Sequence, residues 1–224
     1  MQKKQLTLPF YCVNSQVLWK GEAAVENAVQ MDQRIIELGL DAIFTASVND
    51  VARLSEVTNR LQVGIVFEDQ SLEELKELRE LGAAVLIFDE AEQINQVNAI
   101  LQAAKEIGYL ILVRTEKPFD LTAEVLPFLD IIKWKFDSKQ AAKNVFEEQC
   151  NEQKKRVAQL KQSYPHLAII YGANTISSNL VLNSLMMGLD GVGEVSCNES
   201  TQEKRREMLN AVNDYKKVQN FLNA

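Results

Sequence analysis

Cysteine, histidine and proline are scarce in this 224-residue chain, which has three, one and four of them respectively. Cys12, Cys150 and Cys197 are odd in number and far apart, so neither a disulfide framework nor a closely spaced metal site fits them. A reducing cytoplasm is the expected compartment, and no metal or other cofactor is called for. Basic residues are also in deficit, with 24 Lys and Arg against 31 Asp and Glu. The formal charge of -7 opposes a phosphate backbone or an anionic membrane, so nucleic acid and membrane are excluded as expected partners. Long apolar runs are missing as well: Leu6 to Val13 is short and interrupted by Pro9, and reads as a first strand rather than a signal or a span.

What is present is a regular alternation. Apolar or β-branched runs recur at Leu6–Val13, Asp41–Ala46, Gln62–Phe67, Ala83–Phe88, Tyr109–Arg114, Leu129–Lys135, His166–Tyr171 and Gly191–Val195, each followed by a polar, helix-forming stretch. Eight such units in one chain leave about 28 residues each, near the size of a minimal barrel unit. The predicted fold is therefore α/β, a single (β/α)8 TIM barrel spanning 1–224, since no Pro/Gly/Ser-rich linker divides the chain. A doubly wound sheet is the alternative, without a Gly-x-Gly-x-x-Gly turn to support it.

Local signals agree with the barrel. Ser71 and Glu74 have capping-box spacing, and Leu72, Leu75, Leu78 and Leu81 then mark one helix face. Gly39, Gly82, Gly108 and Gly188 fall where helices should stop. Met186 and Met187 fit packing of a late helix on the barrel. His166 precedes strand 7 on the face that carries stability, so histidine acid/base chemistry at the catalytic mouth is excluded.

Candidate chemistry gathers at predicted strand ends. Gly172, Ala173 and Asn174 after strand 7, with Ser196 and Cys197 after strand 8, would meet where backbone amides attract a phosphate; simple barrel-closing turns are the alternative. Cys197 is either a reactive thiol or a buried small residue. Asp89, Glu90 and Glu92 after strand 4, and Glu68 and Asp69 after strand 3, suit general bases or hard-metal ligands, or else helix-capping carboxylates. Lys133 and Lys135 flank Trp134 and so share one side of strand 6. They are either a Schiff-base nucleophile with a neighbouring cation, or a solvated or Asp89-paired set at the rim.

The order of Val13-Asn14-Ser15-Gln16, Leu81-Gly82-Ala83-Ala84-Val85-Leu86, Tyr171-Gly172-Ala173 and Asp190-Gly191-Val192 resembles the triosephosphate isomerase family, especially its compact archaeal-type members. The resemblance implies a lysine after the strand 1 asparagine, a histidine after strand 4, a glutamate after strand 6 and a glycine-containing lid. Those places hold Gln16 beside Asn14, Phe88-Asp89-Glu90, Lys133 to Lys135, and a loop at 136–145 without glycine or proline. Each lost charge stabilisation is worth on the order of 3 kcal/mol, so the family's isomerisation is expected to be lost. The resemblance thus implies a repurposed or non-catalytic barrel that binds a small phosphorylated sugar or anion at its C-terminal face.

The alternative is an active sugar-phosphate enzyme, either a rearranged triose-phosphate isomerase or a Schiff-base aldolase using Lys133 or Lys135. A third reading makes the barrel a protein-binding scaffold. The family's dimer loop after strand 3 is replaced by the short Phe67 to Ser71 stretch, so the family's dimer is not expected, while another oligomer could use the helices.

Overall fold

In the computed structural model, the described residues are 10–14, 42–57, 62–135, 146–173 and 178–194, with 210, 211, 213–215, 217 and 218 near the C-terminus. Eight strands close into a barrel in chain order: β1 (Phe10–Asn14), β2 (Ala42–Thr45), β3 (Gln62–Val66), β4 (Ala83–Phe88), β5 (Leu110–Thr115), β6 (Ile131–Lys135), β7 (Ala168–Ala173) and β8 (Gly191–Glu194). Every neighbouring pair is parallel, and β8 closes on β1 through Phe10↔Gly193. Around them run α1 (Val48–Val57), α2 (Leu72–Glu80), α3 (Ala91–Ile94), α4 (Asn98–Ile107), α5 (Phe146–Ser163) and α6 (Ser178–Met186). The (β/α)8 barrel expected from the alternation is the fold observed.

Alternation along each strand sorts the core into two layers. Ile43, Ile65, Leu86, Phe88, Ile111, Val113, Ile132, Trp134, Ile169 and Tyr171 pack with helix residues such as Val51, Leu75, Leu101 and Val157. The other parity, Phe44, Val85, Ile87, Leu112, Ile131 and Ile170, forms a separate cluster without helix residues, which is the barrel interior. A Cβ on Gly64 would lie 2.6 Å from the Phe44 ring and 2.8 Å from Ile87, so β3 leaves that space to the ring. The ladder to β4 shifts register at Val63/Gly64.

The base of the barrel is tied by two similar clasps. Asp130, just before β6, accepts from Ile111 N at 2.7 Å and from Lys105 Nζ at 2.7 Å. Asp190, just before β8, accepts from Ile169 N at 2.8 Å and from Lys161 Nζ at 2.5 Å. Each carboxylate thereby satisfies the amide of the second residue of a neighbouring strand and a helix lysine together. Tyr109 is fully buried and donates its hydroxyl to Leu75 O at 2.7 Å; burial pushes the phenol up to about 12.

The capping box forms as expected: Glu74 N donates to Ser71 Oγ, and Ser71 N to Glu74 Oε2 at 2.7 Å. The Ser71 hydroxyl bond is the main reason the Glu74 carboxyl lies below its ordinary value. Gly82, Gly108 and Gly188 adopt positive φ at helix ends, whereas Gly39 lies outside the described residues. Three expectations need correction. Leu75 and Leu78 are buried, but Leu72 and Leu81 sit at the ends of α2 where the helix leaves the core, and both are exposed. Met187 packs on the core while Met186 faces outward. After β5 there is no α-helix before β6, only 3-10 turns at Pro118–Asp120 and Leu126–Phe128, because the prolines at 118 and 127 withhold the amides a longer helix needs.

Candidate active site

The interior parity continues past the apolar layer to the C-terminal mouth, where the side chains become ionic. On β6, Ile131 is followed on the same face by Lys133 and Lys135; on β5, Leu112 is followed by Arg114. Arg114 and Lys133 are direct ladder partners, so their Cα atoms are about one strand spacing of 4.8 Å apart.

Lys133 is 1% exposed. Its ladder partner on β7 is Ile170, yet a Cβ built on Gly172 would meet Lys133 Cε at 3.0 Å and Cγ at 3.1 Å. The lysine stem therefore leans toward the mouth across Gly172, and that glycine provides its seat. This corrects the idea of a solvated rim pair: burying the stem in the barrel interior removes Lys133 from bulk water.

The carboxylates after β4 choose separate partners. Asp89 receives a two-pronged bond from Arg114, through Nε to Oδ1 and through Nη2 to Oδ2 at 2.6 Å. Glu90 accepts from Lys135 Nζ at 2.8 Å. Glu92 and Lys117 meet at 3.3 Å on the open surface, where a pair contributes little. The bond from its own amide, then Lys117, holds the Glu92 carboxyl below its ordinary value. Pairing of Asp89 with a lysine is thus replaced by pairing with Arg114, which the register brings alongside.

Asp89 is itself fixed from behind. Its amide donates to Gln93 Oε1 at 3.0 Å, and Gln93 Nε2 donates to Phe67 O at 3.0 Å, which ties the ends of β3 and β4 together. Glu68 and Asp69 stay exposed, and the connection 67–71 is short, with Asp69 at φ 62. Among the described residues, no group of three or more His, Cys, Asp or Glu side chains could hold a metal ion.

Other expected site residues are less fully placed. Asn14 ends β1 opposite Phe44 in the ladder, and Gly172 and Ala173 end β7 beside Gly193 and Glu194 of β8. Gln16, Asn174, Ser196, Cys197 and the loop 136–145 lie outside the described residues. His166 is exposed before β7, edge-on to Tyr164. The residues that sequence reasoning missed are Arg114 and Gln93. A lone arginine near the end of the apolar strand Leu110–Thr115 was the available signal, whereas Gln93 gave none.

Among the described residues no helix is long and apolar enough to cross a membrane. No family model matches the chain, and no curated protein does. Solved structures do. A 3-hexulose-6-phosphate synthase from Salmonella typhimurium aligns with TM-score 0.59 and 16% identity, covering 92% of this chain and 99% of its own. A 3-keto-L-gulonate-6-phosphate decarboxylase from Vibrio cholerae gives 0.58 and 12%, covering 93% and 99%. A phosphoribosyl anthranilate isomerase from Thermus thermophilus gives 0.53 and 11%, covering 92% and 98%. These overturn the resemblance to triosephosphate isomerase. The four short segments whose order suggested it, from Val13-Asn14-Ser15-Gln16 to Asp190-Gly191-Val192, follow the strand–helix repeat of a barrel fold that many families share. The missing lysine, histidine and glutamate are consequently not losses, and a repurposed or catalytically dead isomerase no longer follows.

Proposed function

We propose that this barrel is an active sugar-phosphate enzyme in which Lys133 meets the substrate carbonyl as a Schiff-base nucleophile. The observation that carries it is the lysine buried in the barrel interior, stem seated over Gly172 and directed toward the mouth. The aligned structures support the substrate class, since each is named for a phosphorylated sugar or phosphoribosyl compound. Between the two candidate lysines, Lys133 is buried in the barrel interior whereas Lys135 is partly exposed at the rim, which favours Lys133.

In this reading the Lys133 amine adds to the carbonyl carbon, water leaves, and the resulting iminium accepts the electron pair of the neighbouring carbon–carbon bond as it breaks. Glu90, held at the mouth by Lys135, is the carboxylate proposed to take the hydroxyl proton of the departing half. Gly172 and Ala173, with Asn174, Ser196 and Cys197, remain the proposed phosphate grip. No resident cofactor is required.

The test is an NMR screen of phosphorylated ketoses and aldoses in heavy water, following bond cleavage and exchange of the proton next to the carbonyl. Wild type and Lys135→Met are expected to act on at least one compound, and Lys133→Met on none. Lack of both cleavage and exchange across the panel would remove the proposal.

A further inference from the structure

We propose that Asp89 is a specificity residue that accepts a hydrogen bond from a hydroxyl on the substrate's carbon chain, making the substrate a polyhydroxylated sugar phosphate. This rests on the reading of the barrel mouth as a sugar-phosphate site and does not require Lys133 to be the nucleophile.

The placement of Asp89 follows from the ladder. It continues the interior face of β4 beyond Val85 and Ile87, as Arg114 does on β5 beyond Leu112, and the two side chains meet above the apolar interior layer. The pair is lopsided: the Asp89 side chain is 46% exposed and that of Arg114 only 16%. The outer pair of Lys117 and Glu92, by contrast, is open on both sides, at 61% and 63%. The guanidinium is therefore the covered backing of the inner pair, and the carboxylate is the part presented to the mouth.

Asp89 is also held still. Arg114 grips its head through two bonds, and its amide donates to Gln93 Oε1, while Gln93 Nε2 reaches Phe67 O. The Phe67 ring lies 5.0 Å from that of Phe88, the residue just before Asp89. A group fixed at both backbone and head loses little freedom when a ligand arrives.

The chemistry of the pair selects the ligand group. Each carboxylate oxygen has two lone pairs, and Arg114 takes one on each, which leaves acceptor capacity on an exposed side chain. The substrate's phosphate is repelled by a carboxylate. A metal ion or an ammonium group would meet the guanidinium as a like charge at close range. Among the described residues there is also no group of three or more His, Cys, Asp or Glu side chains to hold a metal. A neutral hydroxyl donor suits the carboxylate and is not opposed by the arginine, and a sugar chain carries several.

The experiment is calorimetric titration of wild type, Asp89→Ala and Asp89→Asn with four ligands. Fructose 6-phosphate and ribulose 5-phosphate carry hydroxyls; hydroxyacetone phosphate keeps a carbonyl and a phosphate without a free hydroxyl; inorganic phosphate has neither carbonyl nor chain. Thermal melts establish that each variant is folded, and Asp89→Asn, which keeps one acceptor oxygen, serves if Asp89→Ala is not. The inference predicts that Asp89→Ala raises Kd at least about tenfold for a ketose phosphate, with Asp89→Asn in between. For hydroxyacetone phosphate and inorganic phosphate Kd should stay level or fall, because removing a negative charge favours an anion. Parallel shifts for all four ligands, or ketose phosphates that bind as well or better without the carboxylate, overturn the inference. Absence of wild-type binding to both ketose phosphates overturns it too. A ketose-selective loss supports it whether or not Lys133 is trapped by borohydride, so failure of the Schiff-base reading is recorded separately.

Discussion

Replacing Gly172 with alanine probes the seat of Lys133 directly. The new methyl would lie 3.0 Å from Lys133 Cε and 3.1 Å from Cγ, tighter than ordinary carbon contacts, and 3.3 Å from the Trp134 carbonyl oxygen. Lys133 is buried, so its stem has little room to withdraw. Overpacking of this kind costs about 1–3 kcal/mol. For a chain of this length that lowers Tm by roughly 2–12 °C. In a Lys133→Ala background the two closest clashes vanish and only the Trp134 oxygen remains, so Gly172→Ala should be nearly neutral, helped by about 0.5–1 kcal/mol of relieved glycine entropy. Urea unfolding of the four proteins, followed by tryptophan fluorescence, gives the coupling, which should be at least about 1 kcal/mol. Equal cost of Gly172→Ala in both backgrounds would refute the placement of Lys133 over Gly172.

Further predictions concern the frame around the site. Gly64→Ala, which would drive a methyl to 2.6 Å from the Phe44 ring, should cost about 3 kcal/mol or block folding, measured by thermal melting. Asp130→Ala strips both Ile111 N and Lys105 Nζ of their acceptor and should cost about 2 kcal/mol in urea unfolding, discounted from the fully buried value because Lys105 is partly exposed. Tyr109 has a phenol raised from 10.0 to about 12, so folding favours the protonated form. Its contribution is complete below about pH 10 and fades as pH climbs toward 12. Tyr109→Phe should flatten that alkaline decline and cost about 1 kcal/mol at neutral pH through the lost bond to Leu75 O.

The frame was readable because its signals are local and periodic. Apolar runs mark all eight strands, and period-two alternation places Lys133 and Lys135 on one face. Ser71 and Glu74 announced their cap through a three-residue spacing. What escaped depends on register between segments far apart in the chain. Asp89 and Arg114 are 25 positions apart, and only the β4–β5 ladder brings them together. Gln93 works through backbone groups that no side-chain pattern reveals. The stretch between β5 and β6 looked helical by composition, while Pro118 and Pro127 limited it to single turns. The resemblance to one family rests on the order of four short segments, and that order follows from a strand–helix repeat that unrelated barrels share.

The central claim is that Lys133 is the group that meets the substrate. Its most direct test is reductive trapping across a panel of phosphorylated ketoses and keto acids, with the modified residue located by peptide mass. The account predicts a substrate-dependent adduct on Lys133 that persists in Lys135→Met and disappears in Lys133→Met. An adduct on Lys135, or turnover of a sugar phosphate that leaves Lys133 unmodified under borohydride, would contradict it.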